Sequence, residues 1–259
     1  MLKAGYPQRR SLGFIRALGL ALCAALCAAA SARAGVATLH EDELNQIYSQ
    51  DSVKNSPILA GLPASEQRID IRFNPIVTLS VPSLLTIDTE DQLNQLFALG
   101  PHDVPTVDLF FVDAINECGG EVSPPAIGCG QEPGNKIAVE SNFAAIAGAP
   151  GSVGLGAALI GHELGHTLGL AHVNPPPGNL MNPSLSGNIT LTADQVATIL
   201  GTFGAPGTPG SPLIQTDPSN GQRFVLITPF AIVPEPASLL FALLGGVWVL
   251  GRVRPRRSV

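Results

Sequence analysis

Apolar positions along the chain fall into short runs with distinct periods. Ile69-Asp70-Ile71-Arg72-Phe73 alternates apolar and polar residues, the period of a half-buried strand. Thr106 to Val112 is nearly all apolar, with Val107, Leu109, Phe110, Phe111 and Val112, and predicts a strand buried on both faces. Lys136 to Glu140 reads as a further strand after the Pro133-Gly134 turn. Other stretches carry helix signals. Glu41 to Gln50 has the composition of a short helix, and Thr89-Glu90-Asp91-Gln92 is a capping box before Leu93, Leu96 and Phe97. That second helix should run to Leu99 and stop at Gly100-Pro101. Val153 to Leu168 is apolar on nearly every side, so it predicts a helix through the core rather than over it. Thr192-Ala193-Asp194-Gln195 is a second capping box, opening a helix through Val196, Ile199 and Leu200 that ends by Gly201. Strands and helices without repeat imply one α+β domain over residues 35–204, long enough for a real core.

The ends differ in kind. Lys3, Arg9, Arg10 and Arg16 precede an apolar run from Ala17 to Ala30 and an Ala32-Arg33-Ala34 cleavage pattern, so residues 1–34 read as a secretory signal peptide. Gly204 to Gly221 is rich in Gly, Pro, Ser and Thr, and residues 205–232 are expected to be linker and spacer. Within it, Arg223 to Val233 is apolar and either returns as a strand or leads into the membrane. Val233-Pro234-Glu235-Pro236, the 15 residues Ala237 to Gly251 and Arg252, Arg254, Arg256 and Arg257 close the chain. This arrangement over residues 233–259 resembles the PEP-CTERM sorting signal of Gram-negative bacteria. The resemblance implies export, handling by signal peptidase and an exosortase-type enzyme, a transient hold in the inner membrane, and delivery to the cell surface or beyond. The alternative is a tail-anchoring transmembrane helix kept in place by its arginines, although the run is below the roughly 17–25 residues of a usual span.

The candidate chemistry is concentrated in His162-Glu163-Leu164-Gly165-His166-Thr167-Leu168-Gly169-Leu170-Ala171-His172. At about 3.6 residues per turn His162 and His166 share one helix face and can share one ion, while Glu163 lies about 100° round the helix. A continued helix would turn His172 away from that ion, so the chain must bend first. Gly169 can supply the bend, because a residue without Cβ enters the left-handed region at little cost. His162, His166 and His172 are thus candidate metal ligands, and Glu163 is a candidate general base.

His-Glu-x-x-His-x-x-Gly-x-x-His followed by a methionine turn, here Asn179-Leu180-Met181-Asn182-Pro183, resembles the metzincin clan of zinc endopeptidases, nearest its matrixin and reprolysin-like branches. The resemblance implies a twisted mixed sheet packed on a central active-site helix, a C-terminal helix, one catalytic Zn²⁺, a protein or peptide substrate, and Met181 as an apolar floor. It also implies an edge strand that pairs with extended substrate, and Ile137-Ala138-Val139 sits in the matching place; a plain structural strand is the other reading. Two features depart from the pattern. Asn182 stands where some branches carry tyrosine, and the only tyrosines are Tyr6 and Tyr48. No proregion cysteine motif of the matrixin kind is found.

Charge narrows the partners. The whole chain has 14 basic and 20 acidic residues, but nine basic residues lie in the two terminal signals with only one acidic residue, Glu235. The remaining 5 basic and 19 acidic residues give a charge near −14, which repels nucleic acid. Of the four cysteines, Cys23 and Cys27 leave with the signal peptide, and Cys118 and Cys129 remain as a candidate disulfide of an oxidising compartment. His40 and His102 read as surface residues. Asp103, Asp108, Asp113, Glu117 and Glu121 could hold calcium, but no recognisable loop supports that ion and a solvated acidic face is the reading adopted. The function expected is an exported zinc endopeptidase, with a surface or biofilm-matrix scaffold on the same fold as the alternative.

Overall fold

A computed structural model describes residues 36–119, 126–132, 134–173, 178–185, 189–201 and 210–235. The expected signal peptide 1–34, the apolar run expected to reach the membrane and the arginine tail lie outside the described residues. The helices are α1 (Glu41–Ile47), α2 (Asp51–Lys54), α3 (Glu90–Ala98), α4 (Ser141–Ala144), α5 (Leu155–Thr167) and α6 (Ala193–Leu200). The strands are β1 (Ile69–Phe73), β2 (Val77–Ser80), β3 (Thr86–Ile87), β4 (Thr106–Val112), β5 (Ala114–Ile115), β6 (Gly128–Gly130), β7 (Lys136–Glu140), β8 (Gln215–Thr216) and β9 (Arg223–Val233).

Both capped helices start at their threonines. Thr89 accepts from the Gln92 backbone at 3.2 Å, but the Gln92 side chain turns to the Asp88 N–H instead of closing the box. At α6 the box is complete between Thr192 and Gln195. The helix expected over residues 41–50 ends early, at Ile47, and a separate turn, α2, begins beyond it at Asp51.

The main sheet runs β1-β9-β4-β7-β6, with β2 and β8 also on β9. β1, β2 and β4 pair with β9 in parallel, and β4 pairs with β7 in parallel. β6 and β8 are antiparallel to their neighbours. The fold is therefore mixed α/β with a mixed sheet. Alternate residues of its strands face opposite ways. Val107, Leu109, Phe111, Ile137, Val139, Val225 and Ile227 share one apolar cluster with Leu159, Ile160 and Leu164 of α5. Phe110, Val112, Ala138, Phe230 and Ile232 share a second with Leu93 and Leu96 of α3. Residues 34–233 form one compact unit holding both clusters.

The structure corrects four sequence expectations. The boundary at residue 204 and the spacer 205–232 fail, because Arg223–Val233 is the strand between β1 and β4 and its central residues are buried. Its run, apolar from Phe224 to Val233 except at Thr228, is that of a strand covered on both faces. Ile137-Ala138-Val139 is not an edge, since β7 is flanked by β4 on one side and by Gly128, Cys129 and Gly130 of β6 on the other. His40 is buried, with its Nε2 at 2.6 Å from the Ala144 carbonyl. Asp108 is fully buried, 2.5 Å from Lys136 Nζ and 2.7 Å from His102 Nδ1. A buried carboxylate needs such partners to offset its lost hydration, so Asp108 belongs to no solvated face. Glu121 lies outside the described residues. Among the described residues no helix is long and apolar enough to cross a membrane.

Candidate metal centre

Helix α5 carries His162, Glu163 and His166 through the interior, and all residues from Gly156 to Thr167 are buried. Its start is fixed from outside: Glu43 of α1 accepts at 2.5 Å from the N–H of the N-cap residue Gly154, a donor that the helix end leaves unpaired, and at 3.3 Å from the Gly148 N–H in the preceding loop. Farther along, Tyr48 donates its hydroxyl to the Gly161 carbonyl at 2.9 Å. Burial raises the Tyr48 pKa, and the residue braces the helix from below.

The end of α5 is a Schellman turn. Gly169 has φ 93°, its N–H donates to the His166 carbonyl at 2.9 Å, and the Leu170 N–H donates to the Gly165 carbonyl at 2.9 Å. The chain reverses there and brings His172 to the two helical histidines. Their Nε2 atoms lie 3.2 Å apart for His162 and His166, 3.2 Å for His162 and His172, and 3.0 Å for His166 and His172. His162 and His166 are buried, while His172 is exposed at the rim.

The far nitrogens settle the protonation of two rings. His162 Nδ1 is 2.6 Å from the Leu180 carbonyl and His166 Nδ1 is 2.8 Å from the Leu170 carbonyl. A carbonyl only accepts, so each neutral ring carries its proton on Nδ1 and presents a bare lone pair at Nε2. Burial lowers the His162 pKa to about 4, against the Leu180 hydrogen bond that raises it, with the neighbouring imidazoles adding to the lowering. His166 is lowered as well, first by burial and then by His172, against the Leu170 carbonyl and Glu132. Lone pairs facing one another at this distance repel, and a shared cation removes that repulsion. Tetrahedral zinc with nitrogens at about 2.0–2.1 Å sets them about 3.3 Å apart, so the three rings fit such an ion with little movement.

Glu163 lines the same cleft as the three histidines, a space of about 520 Å³. Burial pushes its pKa up to about 8, against a hydrogen bond from the Gly130 N–H that lowers it. Two glycines of β6 make room for it. A Cβ on Gly128 would stand 2.5 Å from Glu163 Oε1, and one on Gly130 would stand 2.6 Å from the Glu163 carbonyl oxygen. Cys129 between them turns to the opposite side of the sheet, where it forms a disulfide with Cys118. Cys118 of that disulfide, Pro183 and Leu185 lie along the cleft wall.

Met181 is fully buried, and its thioether lies against Gly165, where a Cβ would overlap Sδ. Gly165, Gly128, Gly130 and Glu132, whose carboxylate is 3.3 Å from His166 Nδ1, are site residues that sequence reasoning missed. A glycine inside His-Glu-x-x-His was a visible sign of close packing. The others had no local signal.

The titrating groups give the metal-free chain a specific pH dependence. Glu163, with a raised value, contributes stability that is complete below about pH 4.5 and lost as pH rises through about 8. His162, with a lowered value, contributes stability that is complete above about pH 6.5 and lost as pH falls through about 4. Between these limits the two oppose each other, and above about pH 6.5 only the Glu163 loss continues. The melting temperature of the metal-free protein should therefore fall from about pH 6.5 to about pH 8, and zinc should abolish the fall. A melting temperature that stays level over this range without metal would contradict the burial of an ionised Glu163.

Compared with family models, with curated proteins and with solved structures, the chain matches none of them.

Proposed function

We propose that this chain is an exported zinc endopeptidase of metzincin type. The carrying observation is the convergence of three Nε2 lone pairs within 3.0–3.2 Å of one another in a cleft that also holds a buried carboxyl group. His162, His166 and His172 would hold the ion. Bound there, zinc would supply a Lewis acid that lowers the pKa of a water towards about 7 and polarises a substrate carbonyl.

The chain's own residues do the rest. Glu163 accepts a proton from the attacking water and passes it to the leaving amine. Its raised pKa suits both halves of that task near neutral pH. The cleft wall is the short strand β6, whose only neighbour among the described strands is β7, so its outer edge, apart from the Gly130 N–H held by Glu163, can pair with an extended peptide. This role passes from Ile137-Ala138-Val139 to Gly128-Cys129-Gly130. No tyrosine reaches the cleft among the described residues, because Tyr48 is buried under α5 and Asn182 follows the methionine.

A scaffold that kept the fold without chemistry would gain nothing from a carboxyl group buried against its own ionisation; this favours the enzyme reading. The leader and the Pro-Glu-Pro tail support export and surface delivery. Zinc-loaded protein of residues 34–233 should cleave a general peptide library, lose that activity to a chelator and regain it with zinc. Folded, zinc-loaded protein that cleaves no peptide would overturn the endopeptidase reading in favour of the scaffold.

A further inference from the structure

The methionine turn is held by two side-chain amides from different parts of the chain. Asn179 is 2% exposed and Gln195 8%. They pair reciprocally: Asn179 Nδ2 donates to Gln195 Oε1 at 2.8 Å, and Gln195 Nε2 donates to Asn179 Oδ1 at 3.0 Å. Each acceptor takes one further backbone donor. Gln195 Oε1 accepts from the Thr192 N–H at 2.9 Å, which ties the pair to the start of α6. Asn179 Oδ1 accepts from the Met181 N–H at 2.8 Å.

That last bond matters for the metal centre. The Met181 N–H and the Leu180 carbonyl belong to one planar peptide unit and point in opposite directions. Fixing the N–H therefore fixes the carbonyl, and it is the Leu180 carbonyl that accepts from His162 Nδ1 at 2.6 Å. The next carbonyl, of Met181, accepts from the Val173 N–H at 3.0 Å, directly after His172. The turn thus touches one ligand through a hydrogen bond to its ring and a second through the backbone beside it.

We propose that Asn179 and Gln195 are positioning residues for the metal ligands: their paired amides orient the Leu180–Met181 peptide, which holds His162 in the Nδ1–H tautomer with Nε2 turned to the ion. The proposal rests on the metal-binding part of the function proposed above and is independent of peptide cleavage. Partners of this kind set the orientation and basicity of a histidine ligand, and losing one lowers metal affinity about 10–100-fold.

The test measures zinc affinity by competition with a chromophoric chelator, together with the His162 Nδ1–H resonance in zinc-loaded protein, using residues 34–233. Asn179→Ala and Gln195→Ala should each weaken zinc binding about 10–100-fold and broaden or shift the Nδ1–H signal. Asn179→Asp keeps the acceptor for the Met181 N–H but turns an oxygen in place of Nδ2 towards Gln195 Oε1, so it should bind zinc less tightly than the parent and more tightly than Asn179→Ala. If either alanine variant unfolds, Asn179→Asp against Gln195→Glu decides: only the former keeps both acceptances at residue 179, so it should bind zinc more tightly. Variants that melt earlier yet bind zinc with the parent's affinity and keep the Nδ1–H signal would overturn the proposal, leaving the pair a purely structural role. A parent that takes up no zinc would overturn the metal reading itself, which is evident before any variant is made.

Discussion

Replacing Glu163 by glutamine should leave zinc uptake unchanged while lowering kcat by about 10²–10⁴-fold, the usual contribution of a positioned general base. Glutamine has nearly the same shape, so the fit between β6 and α5 that Gly128 and Gly130 permit is preserved. It cannot take a proton from water. The same substitution should stabilise the metal-free protein in mildly alkaline solution. Burial raises the Glu163 pKa to about 8, so ionising it in the folded state costs free energy that the unfolded chain does not bear. At about 1.4 kcal/mol per pH unit the gain at pH 8 is on the order of a few kcal/mol. Activity and stability thus move in opposite directions at one residue. Peptidase kinetics on the zinc-loaded variant and thermal melts of its metal-free form check both halves. A variant that retains parental kcat would remove Glu163 from the mechanism, and one no more stable at pH 8 would mean that the carboxylate is solvated.

Ending the chain at residue 221 should prevent folding altogether and abolish zinc uptake. The deletion removes β9, which pairs with β1 and β2 along one edge and with β4 along the other. Val225, Ile227, Phe230 and Ile232 are buried, two in each apolar cluster. At about 1.5–3 kcal/mol for each such side chain, their loss matches the whole stability of an ordinary domain, about 5–15 kcal/mol. β1 would also lose its place in the sheet. Near-ultraviolet circular dichroism and zinc titration of residues 34–221 against 34–233 test this. A cooperative melting transition in the shorter chain would show that β9 is an accessory to the fold. Ile227→Asp in the longer chain, which buries a charge in the cluster beneath α5, should reproduce the defect.

These elements also show what the sequence could reveal. Helix α5, its histidine spacing and the turn at Gly169 were legible because ligand geometry and helical period impose the same residues at the same offsets. β4 and β7 were legible as apolar runs with turn signals. β9 was ambiguous, since a strand covered on both faces and a segment approaching a membrane share one composition. Its position between a Gly/Pro-rich stretch and the Pro-Glu-Pro motif suggested a spacer. The edge strand was missed for the opposite reason. β6 is three residues with two glycines, and nothing in Gly-Cys-Gly indicates a strand. Its glycines are explained only by the approach of Glu163. Gln195 was read as a helix cap, which it is, while its bond to Asn179 joins residues 16 apart and has no local trace. Pairings of buried polar groups such as His40 with Ala144 and Asp108 with Lys136 were invisible likewise, because each depends on tertiary contact.

His162, His166 and His172 are proposed to hold one catalytic zinc together. X-ray absorption at the zinc edge on protein of residues 34–233, with stoichiometry from elemental analysis, tests it most directly. One zinc per chain is expected, with three imidazole nitrogens at about 2.0–2.1 Å and one further light-atom ligand, and one imidazole lost on His172→Ala. No zinc uptake by the folded chain, or a zinc shell unchanged by that substitution, would contradict it.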